Sequence, residues 1–109
     1  MINAKEELLE MLVDLGETTK IKCALIEHEE TEFILKLHHS EEEYNNFLDL
    51  LDFEYEDDFG HQNLYGTVWL EDGTWLSRGE YGGSEWWIHN VLPEIPLKCI
   101  KLVSGCIIK

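Results

Sequence analysis

At 109 residues the chain has the length of one domain, enough to bury a single core without disulfide or metal staples. Hydrophobic residues make up 44% and include four tryptophans, which excludes a disordered chain despite a net charge of −15. All 23 acidic residues lie at or before Glu94 with only five lysines and arginines beside them, so this body carries −18 and repels nucleic-acid phosphates and anionic lipid.

In chain order, Asn3 with Glu6 three residues on predicts a helix start. Leu8, Leu9, Leu12, Val13 and Leu15 follow at helical spacing, and Gly16 is a natural stop. Residues 20–28 and 32–39 alternate around the link Glu29-Glu30-Thr31 and predict a hairpin. Its first strand turns Ile21, Cys23 and Leu25 to one face, and its second turns Phe33, Leu35 and Leu37. Ser40 and Glu43 form a capping box, after which Tyr44, Phe47, Leu48 and Leu51 make the buried stripe of a second helix. From Phe53 to Phe59 aromatic and acidic residues alternate, as in a short edge strand or extended link.

The four tryptophans lie between Leu64 and Pro96, where Asp72-Gly73 and Gly82-Gly83 read as two-residue hairpin turns. That register sets Val68 opposite Ser77, Gly66 opposite Gly79, Trp86 opposite Gly79 and Arg78 opposite Trp87. The expected core face carries Leu64, Val68, Leu70, Trp75, Tyr81, Trp86 and Ile88, with the Trp86 ring over Gly66 and Gly79. The other face gathers Tyr65, Thr67, Trp69, Leu76, Arg78, Glu80, Glu85, Trp87 and His89. Either it packs on a helix with Arg78 reaching the edge, or it grips a partner through aromatic and arginine side chains. A slip of one residue at either turn exchanges the two faces. After Pro93 and Pro96 a final strand is expected over residues 98–103. The fold class is α+β in a single domain over 1–109: two helices with an antiparallel β-sheet that includes a C-terminal three-stranded, Trp-rich meander.

No catalytic constellation emerges. Cys23 and His28 are five residues apart and point to opposite strand faces, which is wrong for zinc. The run Asp49, Asp52, Glu54, Glu56, Asp57, Asp58 lacks the ligand spacing and glycine of a calcium loop and reads as a solvated face. Glu80 and Glu85 are cross-strand neighbours with no nucleophile or oxyanion donor beside them. The expectation is therefore a non-enzyme without cofactor or metal. A charged start and the absence of an 18-residue apolar run argue against a signal peptide and a membrane span. Three cysteines then read as free thiols in a reducing cytoplasm, with Cys99 and Cys106 buried in apolar surroundings.

The run from Gly66 to Trp87, GTVWLEDGTWLSRGEYGGSEWW, closes on PEIP and resembles the C-terminal region of small proteins encoded by tailed bacteriophages and prophages. The preceding EEEYNNFLDLLDFEY and FGHQNLYG share that look, so the resemblance covers roughly residues 40–96. It brings no catalytic residues. It implies an accessory protein in bacterial host cytoplasm that binds a host protein and inhibits or redirects it. Such a partner would have a basic surface, as a nuclease or defence complex does, with carboxylates standing where DNA phosphates would lie. An immunity protein against a basic toxin is a variant of the same reading. The residues assigned to partner binding are Tyr65, Trp69, Arg78, Glu80, Trp87 and His89 on the sheet, with Glu54, Glu56, Asp57 and Asp58 in the acidic run. The alternative is a small-ligand or carbohydrate-binding module stacking its ligand on Trp69, Trp87 and Tyr65. Homo-oligomerisation is compatible with both.

Overall fold

A computed structural model describes residues 1–16, 19–56 and 61–100. Strand β1 (Ile2–Asn3) leads into helix α1 (Ala4–Leu15), where the Asn3 side chain accepts a hydrogen bond from the Glu6 amide at 3.0 Å and Gly16 caps the end. The buried stripe is Ala4, Leu8 and Leu12, whereas Val13 is exposed; the spacing of four sets the face. Strands β2 (Ile21–His28) and β3 (Thr31–Leu35) form the expected hairpin around Glu29 and Glu30, both at positive φ as a type I′ turn needs.

A bulge between Ile21 and Cys23 shifts the side-chain phase of β2. Ile21 stays buried, but beyond the bulge Ala24 and Ile26 take the core side, and Cys23 and Leu25 turn away. Strand β3 ends at Leu35, leaving Leu37 exposed. Helix α2 (Glu41–Leu50) begins with the Ser40–Glu43 capping box and buries Phe47 and Leu48, with Leu51 at its cap. Next, β4 (Glu54–Tyr55) pairs with β1 in a two-stranded ladder.

Strands β5 (Leu64–Leu70), β6 (Trp75–Tyr81) and β7 (Ser84–Asn90) form the C-terminal meander. They extend the first hairpin into one antiparallel five-stranded sheet of order β3-β2-β5-β6-β7. The second turn is as expected: Gly82 and Gly83 both have positive φ, and Gly79 faces Trp86 and Arg78 faces Trp87. The first turn differs by one residue. Val68 faces Leu76 and Trp69 faces Trp75, so Glu71, Asp72 and Gly73 make a three-residue loop. Gly73 alone has positive φ there, its amide donates to the Leu70 carbonyl, and Asp72 accepts from the Thr74 amide at 2.9 Å. This is a type I turn closed by a glycine bulge rather than a type I′ turn. It rotates β6 and β7 by one face relative to β5.

Both helices cover one side of the sheet. The core joins Leu8 and Leu12 of α1, Phe47, Leu48 and Leu51 from α2 and its cap, and Ile26, Leu64, Val68, Leu70 and Leu76 of the sheet. The chain then runs through exposed residues 91–96 into a single helical turn, α3 (Leu97–Ile100), where a strand was expected; residues 101–103 lie outside the described part. Cys99 is exposed rather than buried, and Cys106 lies outside the described residues.

Gly66 lies where β5 crosses β2. Its φ is +140°, and an added Cβ would lie 2.2 Å from the Leu25 carbonyl oxygen. Gly66→Ala is expected to destabilise the fold by about 1–3 kcal/mol, as overpacking does, read from its denaturant midpoint.

Candidate binding surface

On the helix-covered side, opposite Trp87, the sheet holds Arg78 with a side-chain exposure of 2%. Its guanidinium donates to Glu7 of α1 at 3.1 Å, to Glu85 of β7 at 3.0 Å and to the Tyr55 hydroxyl at 2.6 Å. Tyr55 in turn donates to Glu7 at 2.6 Å, and the guanidinium sits 4.8 Å from the Trp87 ring centroid. Glu85 also accepts from the backbone amides of Asn63 at 2.7 Å and Leu64 at 2.9 Å. One cation therefore stands between two carboxylates, and the excess negative charge is met by main-chain N–H groups.

Titration follows this geometry. Burial alone would raise the Glu85 carboxyl, but the Asn63 and Leu64 amides and Arg78 outweigh it and hold the carboxyl below its ordinary range. Burial and the hydrogen bond to Glu7 push the Tyr55 phenol well up. The cluster ties α1, β4, β6 and β7 together, with Arg78 and Glu85 enclosed and Glu7 at its rim. It is a clamp.

The opposite side of the sheet carries no helix among the described residues. Trp69 of β5 lies across from Cys23 and Trp75, and Trp86 of β7 lies over Gly79 with Ile88 beside it. Trp69 and Trp86 are each 41% exposed, and Tyr65, Tyr81, Ile34 and Ile88 are exposed around them. The other paired positions on this side are Leu25, Thr67, Ser77, Ser84 and Asn90. Among the paired positions on this side charge is confined to Glu27 and Glu32, beside the first hairpin turn, with Lys22 exposed at the β2 bulge. A protein with 28% charged residues thus has one sheet face without charge over most of its width.

The expected partner-binding set is divided between these two sides. Tyr65 and Trp69 lie on the open face. Arg78 and Trp87 do not form a partner surface: the slip at the Asp72-Gly73 loop turns them into the core, where Trp87 is 6% exposed. His89 is half-buried on that same side and bonds the Thr74 hydroxyl at 2.9 Å. Glu80 is exposed opposite Glu85, at the end of β6. Glu54 of β4 and Glu56 just after it are exposed, and Asp57 and Asp58 lie outside the described residues. Sequence reasoning placed Trp75, Trp86, Tyr81 and Ile88 in the core, whereas they belong to the open face. The signal was the tripeptide Glu71-Asp72-Gly73, which serves a three-residue bulged loop as well as a two-residue one.

A hollow of about 590 Å³ opens beside α2, lined by Lys20, His39, Ser40, Tyr44 and Glu71 among others. Its one serine–histidine neighbour pair is otherwise engaged: Ser40 caps α2, and His39 bonds the Lys36 carbonyl at 2.8 Å. Among the described residues no three His, Cys, Asp or Glu side chains converge as metal ligands, and no helix is long and apolar enough to cross a membrane. No family model, curated protein or solved structure matches the chain.

Proposed function

We propose that this protein is a non-catalytic binding module that docks a partner protein on its helix-free sheet face. The observation that carries this reading is the charge-poor aromatic face around Trp69, Trp75 and Trp86 in a chain of net charge −15. Protein-binding patches have aromatic centres depleted of charge and polar or charged rims, and exposed apolar areas of this kind are uncommon without a binding role. The acidic remainder favours a partner with a basic surface by steering encounter, while the aromatic centre holds the complex. In the setting that the bacteriophage resemblance implies, the partner is a host protein that the module inhibits or redirects.

A second reading has its own support. Thr67, Ser77 and Asn90 set hydroxyls and an amide among the tryptophans, the mixture a sugar-binding face uses. The two readings part on a single pair of variants. Trp69→Ser with Trp75→Ser should lower the denaturant midpoint without unfolding the protein, because Trp69 is 41% exposed and Trp75 is only partly buried. It should weaken capture of a basic protein from bacterial lysate by about 1–4 kcal/mol, the range of aromatic hot spots. Association should slow as salt rises. Salt-insensitive binding to polysaccharide, lost in the same variant, would favour the sugar reading. Unaltered capture would remove the face from both.

A further inference from the structure

The second surface is the free edge of β7, which closes the sheet order. Its two-residue turn makes Tyr81 and Ser84 the closing hydrogen-bonded pair, so residues 84, 86, 88 and 90 bond inward to β6. The main-chain groups of Glu85, Trp87 and His89 point outward, and no described backbone group pairs with them. Edge strands are normally blunted by lysine, proline or a bulge. β7 reads SEWWIHN and has none of these along its seven residues; its one charged side chain, Glu85, points inward to Arg78. The other edge, β3, is five residues long with an exposed Glu32 and Lys36 just past its end.

Beside this edge runs a groove of about 180 Å³, the scale of a single side chain, between α1 and β7. Glu7, Glu10, Met11 and Asp14 line one wall, and Trp86 and Trp87 the other. Glu7 is already paired with Arg78, which leaves Glu10 and Asp14 exposed and acidic. Trp87 adds an independent mark: its indole Nε1, in a side chain nine-tenths buried, has no hydrogen-bond partner among the described residues.

We infer that β7 accepts an extended basic segment of a partner protein as a sixth strand. Main-chain groups of the segment pair with those of Glu85, Trp87 and His89. One lysine or arginine enters the groove, where Glu10 and Asp14 supply charge. A second copy of this chain fits poorly, since β7 against β7 would bring two sets of Glu10 and Asp14 into one interface. This inference uses main-chain edge groups and α1, and it stands or falls separately from the sheet-face reading.

The probe is a blocked octapeptide of alternating valine and arginine, added to the full chain labelled with ¹⁵N. Binding should slow amide exchange at Glu85, Trp87 and His89 by about tenfold or more, as for newly bonded amides. Amides at 84, 86, 88 and 90 should change little. The Trp87 indole N–H resonance should move. The same peptide with alternate amides N-methylated keeps its charge and side chains but cannot pair, and it should lose the protection. Glu10→Gln with Asp14→Asn, both on the exposed face of α1, should weaken the peptide by about three- to tenfold, the scale of two exposed ion pairs. Trp69→Ser with Trp75→Ser should leave peptide binding as it was, which separates this test from the previous one. Equal binding of the N-methylated peptide, or protection confined to residues outside β7, would overturn the proposal.

Discussion

Arg78→Met should lower stability by about 3–5 kcal/mol, the usual result of removing one partner from a buried ion pair. Methionine fills much of the arginine volume, so the loss is chiefly electrostatic. Glu7 and Glu85 would be left facing each other, and the Tyr55 hydroxyl would lose one of its two partners. Adding Glu7→Gln should recover part of the loss, because its amide oxygen still accepts from the Tyr55 hydroxyl and one uncompensated carboxylate is gone. Denaturant midpoints of the two single variants and the double variant give the coupling. A cost under about 1 kcal/mol for Arg78→Met would mean that the clamp is solvated, as surface pairs are.

The same clamp sets a pH dependence. The Glu85 carboxyl is held below its ordinary range, so its folded-state pKa is depressed relative to the unfolded chain. A depressed carboxyl contributes stability above the unfolded value of about 4.3 and loses it as pH falls through the folded value. Stability should therefore drop below about pH 4, and Glu85→Gln should flatten that acid limb relative to the parent.

Trp87→Ala should cost about 3–5 kcal/mol, whereas Trp86→Ala should cost under about 1 kcal/mol. The two tryptophans are sequence neighbours with opposite fates. Trp87 packs in the core and supplies the ring under the Arg78 guanidinium, so its loss opens a cavity and removes a cation–π contact. Trp86 lies 41% exposed over Gly79, where alanine uncovers a glycine that Ile88 also covers. If Trp86→Ala proves the costlier substitution, the faces of β6 and β7 are the reverse of those described.

Local chemistry was legible in the sequence because it is decided within a few residues. Asn3 and Glu6, Ser40 and Glu43, Gly16 and Gly82-Gly83 marked their caps and turn correctly, since each depends on a neighbouring amide or on positive φ. The α+β class, the first hairpin and the pairing of Arg78 with Trp87 follow from the same short-range signals. Face assignment is of another kind, because strand phase accumulates along the chain. One extra residue in the Glu71-Asp72-Gly73 loop exchanged the faces of β6 and β7, and one at the bulge before Cys23 did the same to β2. Tertiary structure selected the shifted phases. They place Leu76, Ala24 and Ile26 under the helices and bring Arg78 within reach of Glu7, Tyr55 and Glu85, contacts up to 71 residues apart in sequence. The open aromatic face and the free β7 edge are consequences of that choice. Each residue on them was visible in the sequence, but which side met water was decided only when the helices packed on the sheet.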